Sequence, residues 1–374
     1  MQLSLICPIF DASGYAEAAR TLVLGFLDQG HEIRIIPKDW SQADSGLPPA
    51  VEQRLRAVCG NELLPVGPVL HLTIAQNFRY VPGRLNIGMT MIECNRLPHH
   101  WVERCNEMDQ VWVPSTFNRT SFIDSGVHAE KIKVVPIGID PARFHPNVAP
   151  IALQHQTKGR FVFISNFEWV ERKGYDILIR AYLEEFTNDD PVLLVIKSYD
   201  GSNYDPHGVK LHQYYQDTMT QIRKSNPPAM EFVTRNIRYE EMPSFYTAGS
   251  CYVIATRGEG WNLPALEAMS SGIPVITTNW SAHLDFLHER NSYLIDIDRL
   301  APVPMLGVPN DEIYRGACWA EPSLPDTKRR LRHAFQHPLE VSAKGKRARF
   351  DAQAIWNQNR MLRQAYRNLT GMSG

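Results

Sequence analysis

Thr256-Arg-Gly-Glu-Gly-Trp-Asn-Leu-Pro-Ala-Leu-Glu-Ala-Met-Ser-Ser-Gly-Ile-Pro-Val275 is the stretch whose reading decides the fold. The apolar run Cys251–Ala255 before it suits a buried strand. A glycine-bearing loop follows and leads into a helix, with Asn262 at its N-cap and Pro264 in its first turn. Gly272 closes that helix, and Ile273–Thr277 begins another strand. A loop and helix N-terminus at the carboxyl end of a strand offer free backbone N–H groups and the positive end of the helix dipole, which together favour phosphate. Glu259 lies in the loop and Glu267 one turn into the helix. A carboxylate facing such a cleft accepts two hydrogen bonds from vicinal hydroxyls of a ribose or sugar.

Working outward, the same alternation continues on both sides. Phe161–Ser165, Val192–Ile196 and Glu231–Val233 read as strands, and Tyr175–Phe186 as a helix. Upstream, the prolines at 141, 146 and 150 interrupt the pattern between Asp140 and Gly159, which reads as a linker. Before it lies another α/β series. Leu3–Pro8 is strand-like, Gly14 opens the turn to a helix over Ala16–Asp28, and His31–Ile36 follows as a strand. Val69–Ile74, Leu85–Met91, Val111–Val113 and Lys133–Ile137 continue it. Two successive α/β series imply two doubly wound, Rossmann-like domains facing across a cleft. The expected boundaries are 1–150, 151–345 and a terminal segment, 346–374, in which Arg347–Leu369 reads as one long helix.

Composition narrows the function classes. The 374 residues are 44% hydrophobic and carry 39 basic against 40 acidic side chains, so a general nucleic-acid binder is disfavoured. None of the six cysteines forms a C-x-x-C pair, and several lie in apolar runs, as expected of reduced, buried thiols. No basic signal peptide opens the chain, and no apolar stretch reaches the roughly 18–20 residues of a membrane span. A cytoplasmic protein is expected, with a peripheral contact at the inner membrane face left open by the basic C-terminal run around Arg360, Arg363 and Arg367. Packing of that run back on the first domain is the preferred reading.

The run Glu259–Glu267, with its Leu-Pro-x-Leu-Glu-Ala-Met-x-x-Gly-x-Pro-Val surroundings, resembles the retaining GT-B glycosyltransferases, family 4 above all. The resemblance implies that Glu259 contacts the donor sugar and Glu267 the nucleotide ribose. Gly260-Trp261-Asn262 stands where the family carries Gly-Phe-Gly, and with Leu263 it is expected against the donor phosphates. A second matching segment, Ser165 to Gly174, places Arg172 and Lys173 just before a helix. An Arg-Lys pair alone is usually solvated. Here the departing nucleoside diphosphate gains negative charge, and the resemblance assigns the pair to it. The Ser13-Gly14-Tyr15 turn resembles the glycine turn through which the first domain approaches the diphosphate.

Met89–Trp101, Val111–Arg119 and Val134–Asp140 resemble a family branch with a Glu-bearing loop where other members carry a sugar-contacting histidine. Glu93 is expected in that place, orienting donor or acceptor hydroxyls; the competing reading is a strand-end glutamate bonded to a backbone turn. His99 and His100 read as a solvated pair, and Cys318–Pro322 as a packing turn anchored by Trp319. Asp296-Ile-Asp298 has the spacing of a metal-binding acidic pair but reads as a strand-end turn, so neither metal nor cofactor is expected. The implied partners are a UDP- or GDP-linked sugar donor and a carbohydrate or glycolipid acceptor. A sugar phosphorylase or epimerase on the same scaffold and a non-catalytic sugar-nucleotide binder remain as alternatives. An oxidoreductase is disfavoured because no G-x-G-x-x-G follows either opening strand. Asp39–Pro82 carries no readable acceptor signature.

Overall fold

The computed structural model describes residues 1–40, 45–199, 208–305 and 311–371. The first domain contributes β1 (Gln2–Cys7), α1 (Gly14–Asp28), β2 (Glu32–Pro37), α2 (Pro49–Ala57), β3 (Val69–Leu72), β4 (Asn86–Met89), α3 (His99–Glu107), β5 (Gln110–Val113), α4 (Thr116–Asp124) and β6 (Ile132–Val134). Its six strands are all parallel, in the order β2-β1-β3-β4-β5-β6. Every residue of β3 and β4 is buried, because helices cover both faces; that is why these strands read as continuous apolar runs rather than alternating ones.

The second domain repeats the plan with β7 (Phe161–Glu168), α5 (Tyr175–Glu185), β8 (Val192–Tyr199), α6 (Val209–Gln221), β9 (Ala229–Val233), α7 (Met242–Thr247), β10 (Cys251–Ile254), α8 (Leu263–Ser270), β11 (Val275–Thr278) and β12 (Ser292–Ile295). The order is β12-β11-β10-β7-β8-β9, again parallel. The chain winds one way from β7 to β9 and the other way from β10 to β12. The switch point therefore falls between β7 and β10, and the loops leaving those strands flank the crevice where such sheets bind ligands.

Two features depart from the sequence expectations. Cys318–Pro322 is a strand, β14, antiparallel to β13 (Ile297–Pro302). The hairpin reaches the first domain: Asn95 and Cys318 exchange hydrogen bonds of 3.1 and 2.7 Å, and Val303, Ile313 and Trp319 join a core with Cys94, Trp101 and Phe122. The C-terminal run is two helices joined at a break, not one. After α9 (Leu324–Gln336), α10 (Pro338–Ala354) packs on α8, and α11 (Gln358–Thr370) packs on α1. The break has a local cause, since Asn357 turns extended and its Oδ1 accepts from Arg360 N, capping α11 instead of prolonging α10.

At that break the chain passes from one domain to the other beside the earlier passage at Ile139. Ile139 N donates to Trp356 O at 2.9 Å, and Gln358 N donates to Ile139 O at 2.8 Å. The proline-bearing stretch that follows lies along the second domain, where Ser270 Oγ donates to Phe144 O and Ile151 N to Ser244 O. All six cysteines are free thiols; Cys7, Cys94, Cys105 and Cys251 are buried. Among the described residues, no helix is long and apolar enough to cross a membrane.

Candidate functional site

The loops after β7 and β10 are stitched together before any side chain meets a ligand. Arg257 N donates to Arg172 O at 2.7 Å, and Thr256 Oγ1 donates to the same carbonyl at 3.1 Å. Arg257 is buried and forked between Asp176 and Glu321, with all four contacts at 2.7–2.9 Å. Gly174 is obligatory: its φ is +64°, and a Cβ there would lie 1.7 Å from Ala255 O. This close approach brings Arg172 and Lys173 against the Glu259 loop.

Lys173 Nζ donates to both oxygens of Glu259 at 2.8 Å, and an Arg172 nitrogen stands 3.5 Å from the same carboxylate. Burial alone would raise the Glu259 carboxyl, but the two cations outweigh it and hold it below its usual range. Burial pulls the Lys173 ammonium down, with Glu259 opposing. Arg172 also donates to Gly258 O at 2.7 Å and faces Glu93 at 3.7 Å. Tyr314, from the β13–β14 connection, donates to the other Glu93 oxygen at 2.9 Å. Burial and that carboxylate push its hydroxyl up, so it remains a donor. Glu93, Arg172, Lys173 and Glu259 thus form one cluster drawn from both domains.

The floor of this cluster is equally ordered. Ser281, at φ +84°, accepts from Glu259 N at 3.0 Å. Neighbouring His283 is fully buried; its Nε2 meets the Thr278 carbonyl at 2.7 Å and so carries the proton. Burial lowers the pKa of the ring and keeps it neutral. Asn118 clamps the first-domain side, accepting from Ile92 N at 2.7 Å and donating to Gly260 O at 3.0 Å.

Asn262 adopts the left-handed region at φ +79°, and its Oδ1 caps α8 through Ala265 N at 3.2 Å. Its Nδ2 is buried without a protein partner. Leu263 follows at the head of α8, with the Cβ position of Gly14 only 3.8 Å from its Cδ1 across the cleft. Trp261 is oriented differently: its indole N–H donates to Ile137 O at 2.9 Å, and its ring lies against Phe286 and Trp356. That side chain belongs to the interdomain passage, not to the Glu259 cluster.

Glu267 accepts a hydrogen bond from Tyr246, whose hydroxyl also meets Asn166 at 3.2 Å. Burial raises the Glu267 carboxyl to about 7, against opposing effects of Tyr246 and Arg143. Glu267 and Leu263 line a cavity of about 380 Å³ together with Glu17, Arg143 and Tyr239. These three interlock, since Arg143 bonds Glu17 at 2.8 Å and the Tyr239 carbonyl at 2.7 Å while stacking on the Tyr239 ring. Tyr314, Tyr246, Asn118 and this interlock were not singled out by sequence.

Residues 158–302 match the family model described as "Glycosyl transferases group 1". The chain is 24% identical over 160 residues to mannosylfructose-phosphate synthase of Agrobacterium fabrum, covering 41% of this chain and 34% of that one. It is 28% identical over 182 residues to the GDP-mannose-dependent alpha-(1-6)-phosphatidylinositol monomannoside mannosyltransferase of Mycolicibacterium smegmatis, covering 46% and 44%. The chain spans between a third and about half the length of the curated relatives it matches. Among solved structures, Anabaena HepE in complex with UDP-glucose superposes with a TM-score of 0.69 at 14% identity, over all of both chains. The chain therefore has the GT-B fold, and its second domain carries the match to the glycosyl transferases group 1 family.

Proposed function

We propose that this protein is a retaining glycosyltransferase that moves a sugar from a UDP- or GDP-linked donor to a carbohydrate or glycolipid acceptor. The observation that carries the reading is the pairing of Lys173 and Arg172 with Glu259 in the loop leading into α8, the helix whose Leu263 and Glu267 line the cavity. Two half-buried cations and a helix N-terminus are suited to a diphosphate. Two carboxylates, one in the loop before α8 and one on α8 itself, suit the hydroxyls of a sugar and a ribose. The relative named for GDP-mannose and the structure holding UDP-glucose support the same class of donor.

In the reaction, the bond from the anomeric carbon to the diphosphate oxygen breaks as the acceptor oxygen bonds to that carbon from the same face. The acceptor proton passes to the leaving phosphate. Lys173 and Arg172 stabilise the growing charge, the role a divalent cation fills elsewhere, so turnover is expected without added metal. Glu259, freed from Lys173 as the phosphates arrive, takes sugar hydroxyls; Glu93, braced by Tyr314, orients them from the first domain. Asn262 Nδ2 has a spare N–H for a phosphate oxygen.

The test is a melting-temperature and turnover panel with UDP-, GDP- and ADP-sugars on the wild type and Glu267→Ala. Stabilisation by one nucleotide class, lost in the variant, supports the reading. Turnover that needs inorganic phosphate and no nucleotide sugar, or that requires manganese after EDTA, contradicts it.

A further inference from the structure

The loop leaving β2 is fastened to the loop leaving β1 at several points. Lys38 N donates to Cys7 O at 2.9 Å, and Asp39 Oδ1 accepts from Ile9 N and Phe10 N at 2.6 and 2.8 Å. Trp40 N donates to Asp11 Oδ2 at 2.9 Å, and Asp11 Oδ1 accepts from Ser13 N, the N-cap of α1. These bonds hold the Trp40 indole at the carboxyl-end rim of the first sheet with 44% of its surface exposed, beside exposed Lys38 and Asp39.

A short chain of contacts links this ring to the Glu259 loop. Tyr15 lies against Trp40 with ring centroids 4.7 Å apart. The Tyr15 hydroxyl contacts Thr90 Oγ1 at 3.1 Å and accepts from Met91 N at 3.1 Å. Met91 covers Gly260, where a Cβ would come within 2.5 Å of Met91 Cγ. The exposed indole is therefore two side chains, Tyr15 and Met91, from the residue that follows Glu259.

From this placement we propose that Trp40 is the stacking platform of a neutral-saccharide acceptor subsite on the first-domain wall of the cleft; the proposal rests on the glycosyl-transfer reading above. A pyranoside has an apolar C–H face and a rim of hydroxyls. A rigid indole buries the C–H face at little cost in side-chain freedom, and the adjacent ammonium and carboxylate serve the hydroxyl rim. Lys38 is set against the carboxylates of Asp39 and Asp11, which suits a neutral sugar better than a phosphate or an acidic polymer. The fastening of the Trp40 main chain to the loop after β1, with the ring packed on Tyr15, sets this platform apart from an ordinary surface tryptophan, whose exposure alone means little.

The experiment is saturation-transfer NMR with methyl α-D-glucopyranoside, methyl α-D-mannopyranoside and methyl β-D-galactopyranoside at millimolar concentration, on wild type, Trp40→Ala and Trp40→Phe. Melting-temperature shifts with UDP and GDP are measured in parallel. The proposal expects transfer to at least one glycoside in the wild type, about threefold to tenfold weaker in Trp40→Ala and largely kept in Trp40→Phe, with the nucleotide shifts unchanged. Transfer indifferent to Trp40→Ala, or absent for all three glycosides in the wild type, overturns it. So does a Trp40→Ala protein that loses its nucleotide shift as well, because the ring is then structural. Glycoside transfer that depends on Trp40 in a wild type with no nucleotide shift upholds the subsite and sinks the donor reading, which separates the two failures.

Discussion

Lys173 holds Glu259 by both carboxylate oxygens at 2.8 Å, so the ammonium and the carboxylate that the proposed function assigns to phosphate and to sugar neutralise each other in this structure. On that proposal donor binding is an exchange of partners: phosphate takes the ammonium, and sugar hydroxyls take the carboxylate. Glu259→Gln releases the cation while removing the negative charge. Transfer is expected to fall by about 10²–10³-fold, while nucleoside diphosphate affinity holds or tightens by up to about tenfold. Steady-state rates and calorimetric titration with UDP and GDP check both halves. Loss of nucleotide affinity together with transfer would contradict the exchange.

Glu267 sets a pH dependence whose sign is definite. Its carboxyl titrates near 7 in the folded protein because of burial, against an ordinary value of 4.5. Below the ordinary value both folded and unfolded chains hold the proton, and nothing is lost. As pH rises toward 7 only the unfolded chain releases it, so stability declines, by roughly 3 kcal/mol in all once pH exceeds the folded value. Glu267→Gln is expected to abolish this slope and to melt higher than wild type at pH 8, with the two proteins close at pH 4.5. Nucleotide binding to the ionised carboxylate should strengthen between pH 6 and 8 in wild type and stay flat in the variant. Melting curves and titrations across that range decide it.

Tyr314 braces Glu93 from a different domain. Tyr314→Phe keeps the ring and removes the single 2.9 Å bond. A hydrogen bond to a charged group is worth about 1.5–3 kcal/mol, so kcat is expected to fall by about tenfold or more. The KM for the donor is expected to stay within about twofold, since the phosphate and ribose contacts are untouched. A proportionate rise in KM with unchanged kcat would show that the tyrosine serves binding instead.

Two glycines separate folding from closure. Gly174 lies inside the second domain, and its Cβ would strike Ala255 O. Gly174→Ala should cost more than about 2 kcal/mol and show as a lower melting temperature. Gly258 faces the other domain, where a Cβ would lie 1.9 Å from Glu93 O. Gly258→Ala should leave each domain folded but hold the two apart. A larger radius of gyration by solution scattering, with transfer lost and melting little changed, is the expected result.

What could be read from the chain, and what could not, follows from the range of the forces involved. The Glu259–Glu267 segment was legible because its punctuation is local: Asn262 caps the same helix that Pro264 begins. Lys173 was legible as a charge beside a helix, but its partner Glu259 is 86 residues away and only the β7–β10 switch point joins them. Tyr314 reaches Glu93 over 221 residues through a hairpin whose segment β14 read as a turn, and nothing in its neighbourhood marks it. Trp261 lies within a donor-binding pattern, yet its N–H needs an acceptor and finds Ile137 O. At Asn357 the cap is local, to Arg360 N, but the pairing of Ile139 with Trp356 and Gln358 that accompanies the break spans more than 200 residues and leaves no local mark.

The double passage between the domains has a mechanical meaning. A single tether lets two bodies swivel in any direction, whereas a ribbon of two strands, bonded across its width at Ile139 and Asn357, flexes about one axis and resists torsion. Gly138 lets the strands lie flush, with no Cβ to strike the Gln358 backbone. Trp261 hangs from this ribbon by its indole N–H and leans on Trp356, while two residues away the same loop carries Glu259. Ribbon and loop share one fulcrum, so flexing that parts the domains is expected also to tilt the Glu259 loop. If the protein acts as proposed, release of the spent nucleotide and widening of the cleft become a single stroke.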